Sequence, residues 1–354
     1  MKKGRVVPVI VLAIGFVLSG CSDHKFVSFS LGAVEDQFTQ QGVQKQSGEF
    51  DILWVIDNSG SMASSQNNLA ANMDSFIAKF QDRQLDFRMA VITTDAYRDK
   101  VDGKPHKSLF RDGNEKNGPT GWPVISSDTP NLRETFLKNV LQGAEGNGDE
   151  RPFASIVSAL ENPTNAGFIR PDALLAVIIL SDEDDFSHDG NDINWGDYND
   201  PDLHPVARYK EYLEALKPAG PGGMQRYTVS SISAKTQTCV DKLKDQLSQS
   251  QRVGKRIMEL VDSVGGVNGD ICGDFSETLS LVSKEIIELG TQFRLSGLPD
   301  PQTIKVLVNN AVVPQDAENG WTFNEVANSI IFHGTAVPPN GANIRVEYVP
   351  TRPN

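Results

Sequence analysis

Two short segments of the chain are almost entirely apolar and end at acidic residues. One covers residues 51–56, where an aspartate is followed by Ile-Leu-Trp-Val-Ile, and the other covers residues 173–180, which read Ala-Leu-Leu-Ala-Val-Ile-Ile-Leu. Neither alternates apolar with polar positions, which is typical of strands buried on both faces of a parallel sheet. We therefore predict that both are central strands.

The remaining pattern up to residue 290 alternates strands with helices. Further strands are predicted at 87–94 and 226–233, and helices are predicted around 73–80 and at 131–143, 151–161, 206–216, 252–264 and 275–290. This alternation predicts an α/β domain at 49–290, with a doubly wound, mostly parallel sheet flanked by helices. Residues 97–129 show no periodicity and are expected to form a long functional or disordered loop.

From residue 293 the pattern changes to short β-prone pieces. They lie at 304–309, 320–323, 329–332 and 344–348, and Asn, Pro and Gly residues separate them as turns. We predict a small all-β module at 291–354. Trp321 and Tyr348 are interpreted as its core in preference to a binding platform.

The amino terminus has the pattern of an export signal. Three basic residues precede an apolar run of thirteen positions, 6–18, which is too short to span a bilayer as a helix. Leu18-Ser19-Gly20-Cys21 resembles the bacterial lipobox, so residues 1–20 are predicted to be a lipoprotein signal peptide and Cys21 to be lipidated. A plain secretory signal with an incidental cysteine is the alternative.

A lipid on Cys21 would anchor the chain to a membrane of the bacterial cell envelope. Ser22 after the cysteine is compatible with sorting to the outer membrane, which we favour over the inner membrane. The polar residues that follow have no sustained period, so residues 21–48 are predicted to be a flexible tether.

The other two of the three cysteines, Cys239 and Cys272, would then lie in a compartment where disulfides persist. We expect them to form a disulfide, because neither has a neighbouring histidine or second cysteine that would suggest a metal or catalytic role.

The formal net charge of −13 argues against nucleic acid as a partner, because a phosphate backbone requires a basic face. The acidity is concentrated in residues 182–202. We interpret this stretch as a solvated insertion, with calcium binding around 189–192 as the alternative.

Oxygen-bearing side chains follow both central strands. Asp57, Ser59 and Ser61 follow the first strand, and Asp182 follows the second. In open α/β sheets ligands bind outside the carboxyl ends of the strands, and Mg²⁺ prefers oxygen ligands. The sequence thus predicts a metal site; the alternatives are a simple turn with a helix cap at Ser61 and a solvated acidic loop after residue 181.

At these positions the chain resembles the von Willebrand factor A-type (VWA) family, whose metal-ion-dependent adhesion site begins with Asp-x-Ser-x-Ser. The resemblance covers about residues 49–290. Within the family, the chain is most similar to a bacterial branch that has a carboxyl-terminal β region. It implies a doubly wound sheet, a bound divalent ion (Mg²⁺, or Ca²⁺ or Mn²⁺) and recognition of other macromolecules. Asp182 matches the acid of the family's Thr-Asp-Gly segment, although the glycine is replaced by Glu183.

The chain also departs from the family where a threonine ligand is expected. The corresponding stretch, residues 146–153, contains no threonine, and we place Glu150 at that position, with Asp149 as the second choice. Three carboxylates would then face a doubly charged ion. Such a site should hold its cation more tightly but attract an anionic partner less, because the field of the ion is already neutralised.

Three functions follow from these residues. The first is a membrane-anchored, non-enzymatic binding or adhesion protein that engages a protein or a surface polymer through a metal held by Asp57, Ser59, Ser61, Glu150 and Asp182. The second is a structural envelope lipoprotein whose metal only holds loops together. The third is a metal-assisted hydrolase with Glu150 or Asp95 as base, which the absence of histidine-based and Gly-x-Ser-x-Gly motifs disfavours.

Overall fold

The structure is a computed structural model of the 354-residue chain. It describes residues 34–39, 48–82, 85–104, 106–114, 116–190, 193–220, 224–247, 251–339 and 341–351. The predicted signal peptide, the lipidation site Cys21 and most of the predicted tether lie outside the described residues. Residues 33–354 form one compact unit, which contains both the predicted α/β domain and the predicted β module.

Thirteen strands and eight α-helices are labelled here in chain order. The strands are β1 (Val34–Thr39), β2 (Glu49–Ile56), β3 (Asp86–Thr93), β4 (Val124–Ser126), β5 (Leu174–Ser181), β6 (Tyr227–Ser233), β7 (Asn268–Asp270), β8 (Phe293–Arg294), β9 (Lys305–Val308), β10 (Ala311–Val313), β11 (Trp321–Asn324), β12 (Ser329–Phe332) and β13 (Asn343–Tyr348). The helices are α1 (Ala63–Gln81), α2 (Arg98–Val101), α3 (Leu132–Val140), α4 (Pro152–Leu160), α5 (Val206–Leu216), α6 (Gln237–Leu247), α7 (Lys255–Val264) and α8 (Phe275–Gly290).

A six-stranded sheet in the order β4-β3-β2-β5-β6-β7 forms the centre of the chain. All neighbours are parallel except β4, which pairs antiparallel with β3 at one edge. The chain runs outward in one direction from β2 to β4 and in the other from β5 to β7, so the order reverses between β2 and β5. This is the predicted doubly wound, mostly parallel sheet.

Helices cover both faces of this sheet, as the unbroken apolar runs of β2 and β5 require. Phe50, Ile52 and Trp54 of β2 point to the face covered by α1, α3, α6 and α8. Leu53 and Val55 point to the opposite face, which α4, α5 and α7 cover. Side chains alternate between the two faces of a strand, so both alternating sets must be apolar when both faces are buried.

The predicted loop at 97–129 is more structured than its sequence indicates. It contains the short helix α2 and the edge strand β4, and β4 pairs with β3 in the register Met89 to Ile125. A three-residue strand is too short to show periodicity, and its position is fixed by the neighbour with which it pairs.

The carboxyl-terminal strands form two small antiparallel sheets, in the orders β1-β13-β9-β10 and β11-β12-β8. Trp321 and Tyr348 are buried in the core, as predicted. One part of the predicted tether differs from the expectation, because residues 34–39 form β1 and pair with β13 from Val34–Tyr348 to Thr39–Asn343. Backbone groups make this pairing, so a polar sequence does not reveal it.

Cys239 and Cys272 form the predicted disulfide, with their Cα atoms 5.7 Å apart. In the chain-entropy description, closing a loop of this length contributes about 3 to 4 kcal/mol of stability. Across the described ranges, none of the helices combines the length and apolar character that crossing a membrane requires.

Candidate metal site

The two predicted acidic positions lie side by side at the reversal point of the sheet. Asp57 follows β2 directly, Asp182 follows β5 directly, and the two strands pair in parallel up to Ile56 and Leu180. The amide of Asp57 continues this pairing by donating to the carbonyl of Leu180 at 2.9 Å. The crevice at such a reversal point is where open α/β sheets bind ligands.

Asp57 is fully buried and its carboxylate is held by neighbouring donors. The Ser59 amide donates to Oδ1 at 2.8 Å, and the Ser181 hydroxyl donates to Oδ2 at 2.7 Å. Burial raises the pKa of Asp57 above its ordinary value, and the two hydrogen bonds from serines oppose this rise. The loop thus fixes the orientation of the first carboxylate.

Two serine hydroxyls lie between the loop and the second acid. The Oγ atoms of Ser59 and Ser61 are 3.3 Å apart, and Ser61 Oγ donates to Asp182 Oδ1 at 3.1 Å. The other oxygen of Asp182, Oδ2, is buried and has no hydrogen-bond partner among the residues that the structure describes. Burial and the nearby charge of Asp57 raise the pKa of Asp182 to about 7.

A third loop brings Glu150 to the same place from the start of α4. Glu150 is 1% exposed, and neither of its carboxylate oxygens has a hydrogen-bond partner within the described ranges. Burial, followed by the charges of Asp57 and Glu183, raises the pKa of Glu150 to about 10. A buried carboxylate without a donor is costly unless a cation compensates it, so these residues fit a divalent ion.

Backbone hydrogen bonds hold the three loops together. The Gly146 amide donates to the Asn58 carbonyl at 2.7 Å, and the Phe186 amide donates to the Glu150 carbonyl at 2.9 Å. Gln66 of α1 adds a bridge, because its Nε2 donates to the Asp57 and Gly143 carbonyls, both at 2.8 Å. The loop positions are therefore fixed without an ion.

Asp149, the second choice for the threonine position, has another partner. Both of its carboxylate oxygens accept from Arg151 Nε at 3.0 Å, and the Arg151 guanidinium stacks 4.4 Å from the centroid of the Tyr97 ring. Asp149 is therefore engaged with Arg151, whereas the neighbouring Glu150 lies among the site carboxylates.

Glu183 is a fourth carboxylate at the site that the sequence reasoning did not assign to it. Burial and the charges of Asp57 and Asp182 raise the pKa of Glu183 to about 8, with the charge of Arg252 and the neighbouring Glu150 carboxyl opposing the rise. The signal was present in the sequence, since Glu183 occupies the glycine position of the Thr-Asp-Gly segment. The replacement removes the glycine and at the same time adds an acid to the site.

The next two acids in the run anchor helices and do not face the site. Asp184 Oδ1 accepts from the amides of Arg256 and Ile257 at the start of α7, at 2.9 and 3.1 Å. Asp185 Oδ1 accepts from the Phe153 amide at the start of α4, at 3.0 Å. Carboxylates at these positions stabilise helix amino termini. The alternative of a solvated acidic loop is therefore wrong for this run, because its aspartates are buried and the helices that they cap are α4 and α7, not the next helix, α5.

The carboxylates do not converge on a single point. Among the described residues, Cys239, Asp270 and Cys272 are the one set of three His, Cys, Asp or Glu residues whose potential ligand atoms all lie within 4.8 Å of one another. Both of those thiols are consumed in the disulfide, so this set is not a metal site. At the sheet edge, hydroxyls lie between the acids, so the serines would supply inner ligands.

Asp95, the alternative hydrolytic base, is also tied into the structure. It is buried, accepts from the Asn147 amide at 3.2 Å and lies 3.4 Å from the Lys107 ammonium.

Of the acid-rich stretch interpreted as a solvated insertion, Asn191 and Asp192 lie outside the described residues.

Comparisons with known proteins give distant structural similarities. No protein-family model matches the chain, and no curated protein matches it in sequence. Similar structures include proximal thread matrix protein 1 from the mussel byssus, at 15% identity and TM-score 0.36 over 75% of this chain and 50% of that one. Another structure of that protein, at TM-score 0.37, has a zinc-occupied MIDAS motif.

Two further similar structures are longer proteins. The pilus adhesin SpaC from Lactobacillus rhamnosus GG matches at 12% identity and TM-score 0.39, over 89% of this chain and 40% of that one. The human COPII-coat protein Sec24c matches at 10% identity and TM-score 0.42, over 91% and 42%. The chain spans half or less of the length of these proteins. Because all the TM-scores are below 0.5, nothing about this chain's ligands follows from the similarities.

Proposed function

We propose that the chain is a VWA-like, non-enzymatic binding protein that engages a protein or a surface polymer through a divalent metal ion. Ser59, Ser61 and Glu150 would hold the ion, and Asp57 and Asp182 would orient the serines or contact the ion through water. Mg²⁺ is the proposed ion, with Mn²⁺ and Ca²⁺ as alternatives, because all these ligands are oxygens.

The observation that carries this proposal is the Glu150 carboxylate. Both of its oxygens are buried and have no hydrogen-bond partner in the described part of the chain, and the charges of Asp57, Asp182 and Glu183 lie near it. A divalent cation would offset the cost of gathering these charges, and the three separate loops would then share one ligand.

The charge of the site restricts the ligand. Asp57, Asp182, Glu150 and Glu183 can together carry four negative charges against two positive charges of the ion. A site with this balance holds its ion tightly and keeps a negative field around it. We therefore propose that the partner presents neutral or basic groups, and that acidic side chains are poor ligands.

Anchoring through a lipid on Cys21 is part of the same proposal. It would display the site from the bacterial cell envelope, with the outer membrane favoured over the inner membrane. The support is the lipobox-like Leu18-Ser19-Gly20-Cys21 and the disulfide, which is typical of exported proteins.

The second candidate function is a structural lipoprotein in which the ion only joins the loops. The number of carboxylates favours it, because tight binding of an ion is what a structural site requires. The extensive loop hydrogen bonds oppose it, since Gln66, Asn58 and Gly146 already connect the loops.

A hydrolase receives less support, because the Asp95 carboxylate is engaged by Asn147 and Lys107.

Isothermal titration of the purified chain with Mg²⁺, Mn²⁺ and Ca²⁺ tests the metal site. We expect saturable binding that is lost in Asp57→Asn and retained in Asp74→Asn, which removes a surface charge from α1. Equal binding by the parent chain, Asp57→Asn and Asp74→Asn would disprove the site.

Capture of envelope components with and without chelator then separates metal-dependent binding from a structural ion. A partner that stays bound without metal would favour the structural function.

A further inference from the structure

A tryptophan side chain is exposed beside the metal site. Trp195 lies in the segment between β5 and α5 and is 66% exposed. Its indole packs at a steep angle against the buried Phe186, with ring centroids 5.6 Å apart. The Phe186 amide donates to the Glu150 carbonyl at 2.9 Å, so the segment that carries the indole is joined to a loop of the metal site.

The loop around Trp195 is held by its own hydrogen bonds. The amide and the Nδ2 of Asn194 donate to Asp200 Oδ2 at 2.9 and 3.1 Å, and the Asp197 amide donates to the Asn194 carbonyl at 2.9 Å. These bonds fix the backbone on both sides of Trp195. A single exposed apolar residue is common on protein surfaces, so the groups around the indole decide whether it has a role.

Two further rings connect the indole to the metal site. Phe186, Trp195 and Tyr198 form an aromatic cluster, because Phe186 contacts both other rings, with centroids 5.6 and 4.9 Å away. Burial and the charges of Glu183 and Glu150 raise the pKa of Tyr198, which shows that these carboxylates lie near the cluster. The aromatic cluster therefore borders the metal site.

The aromatic cluster already binds one guanidinium. The Arg252 guanidinium lies over the Tyr198 ring, 4.7 Å from its centroid, and the charge of Arg252 acts on the nearby Glu183. No such cation lies over Trp195 among the residues that the structure describes. Indole attracts cations more strongly than the other aromatic side chains do, so an exposed indole here fits a cation from another molecule.

The surface around Trp195 is acidic. Residues 182–202 contain nine acidic residues and neither lysine nor arginine. Asp197 and Asp202 are exposed and form no ion pair with any described residue, whereas the exposed Asp189 lies 3.3 Å from Arg208. A cation that reaches Trp195 therefore enters a negative field, and an anion is repelled.

The flat indole also selects among cations. The guanidinium of arginine is planar, stacks on aromatic faces and donates to carboxylates through a fork of N–H groups, while the lysine ammonium is a compact and strongly hydrated charge. Arginine side chains occur in proteins, whereas cationic polysaccharides carry ammonium groups. We propose that Trp195 stacks on an arginine side chain of a partner protein, with the acidic loop supplying the counter-charge.

Recognition of arginine by Trp195 rests on the proposed function, because it names the basic group that the partner presents at this edge of the sheet. The contact itself does not pass through the ion. Loss of the ion and loss of the indole are therefore separable by experiment.

Fluorescence anisotropy with a labelled hexa-arginine peptide tests the stacking on the purified chain in Mg²⁺. The variants are Trp195→Ala, Trp195→Leu and Trp195→Phe, and Trp122→Ala is the matched control, because Trp122 is 41% exposed in another loop. None of them changes the net charge, so the general attraction of the acidic chain for a polycation stays constant. We expect about threefold weaker binding in Trp195→Ala and Trp195→Leu, a smaller loss in Trp195→Phe and no change in Trp122→Ala.

Two comparison probes separate arginine from other cations. Hexalysine carries the same charge, and a glucosamine hexamer represents a cationic polysaccharide. Both should bind more weakly than hexa-arginine and lose little in Trp195→Ala. Asp197→Asn should weaken hexa-arginine binding more than Asp74→Asn, which removes a surface charge from α1. The Trp195 variants should unfold at the temperature of the parent chain, because the replaced side chain is mostly exposed.

The proposal is overturned if hexa-arginine does not bind or if Trp195→Ala binds it as the parent does. It is also overturned if Trp195→Leu binds it as the parent does, since apolar contact alone would then suffice, or if either comparison probe binds more tightly. Repeating the titration with chelator separates this contact from the metal site. Trp195-dependent binding that persists supports the arginine contact even when the metal titration fails, whereas saturable Mg²⁺ binding without any effect of Trp195 leaves the metal site intact and overturns the arginine contact.

Discussion

Replacing Glu150 by glutamine should change how many protons the metal displaces. Burial and the charges of Asp57 and Glu183 raise the pKa of Glu150 to about 10, so without metal this carboxyl is protonated at pH 7. Glu183, with a pKa of about 8, is mostly protonated, and Asp182, with a pKa of about 7, is half protonated. A cation binds the ionised forms, so its binding must release protons.

These pKa values set the size of the effect. Removing the Glu150 proton at pH 7 corresponds to about three pKa units, or about 4 kcal/mol, which metal binding must offset. With Glu183 and Asp182 included, about two protons are released at pH 7, and the affinity for Mg²⁺ rises about a hundredfold for each pH unit. In Glu150→Gln one proton fewer is released, so the affinity for Mg²⁺ rises only about tenfold for each pH unit.

Isothermal titration with Mg²⁺ in buffers of different ionisation enthalpy counts these protons directly. Glu145→Gln is the matched control, because it makes the same substitution at an exposed position in the same loop. Glutamine replaces a neutral carboxyl at pH 7, so Glu150→Gln should change the stability of the metal-free chain by less than about 1 kcal/mol. Equal proton release in the parent and in Glu150→Gln would refute the reasoning.

Three further outcomes are expected. In urea titrations the metal-free chain should lose stability from about pH 5 to pH 10, because carboxyls whose pKa is raised by folding bind protons more tightly in the folded state. Saturating Mg²⁺ should remove most of this loss. A metal-free stability that does not change with pH would contradict the prediction. Arg170→Met should destabilise the chain by about 3 to 5 kcal/mol by thermal unfolding, because it removes the guanidinium 2.8 Å from the fully buried Asp51 and leaves that carboxylate the main-chain amide of residue 170 at 2.6 Å. The exposed Arg133→Met should have little effect. Reducing the Cys239–Cys272 disulfide should cost about 3 to 4 kcal/mol of unfolding free energy, and an unchanged denaturation midpoint would show that the bond does not constrain the unfolded chain.

The central architecture could be predicted because it depends on local patterns. The runs in β2 and β5 are apolar at every position, and only a strand covered on both faces requires this. Because β2 and β5 are parallel neighbours, the residues that follow them must lie at the same edge of the sheet. Asp57 and Asp182 therefore meet as expected from the sequence and the sheet order.

The remaining features depend on contacts that the sequence does not display. Strand β1 is defined by backbone pairing with β13, about 300 residues later, and its polar sequence carries no sign of it. Asp184 and Asp185 look like Asp182 and Glu183 in sequence, and the helix starts that they meet decide their role. Asp149 pairs with Arg151, whereas the neighbouring Glu150 carboxylate has no hydrogen-bond partner among the described residues, and this difference also depends on how one loop folds.

A crystal structure grown with Mn²⁺ would test the central claim most directly, since anomalous scattering locates the ion without assumptions about its ligands. We expect one peak at the reversal point of the sheet, within coordination distance of Ser59 Oγ, Ser61 Oγ and a Glu150 carboxylate oxygen. A map without a peak there, at saturating Mn²⁺ and with the side chains ordered, would contradict the proposed metal site.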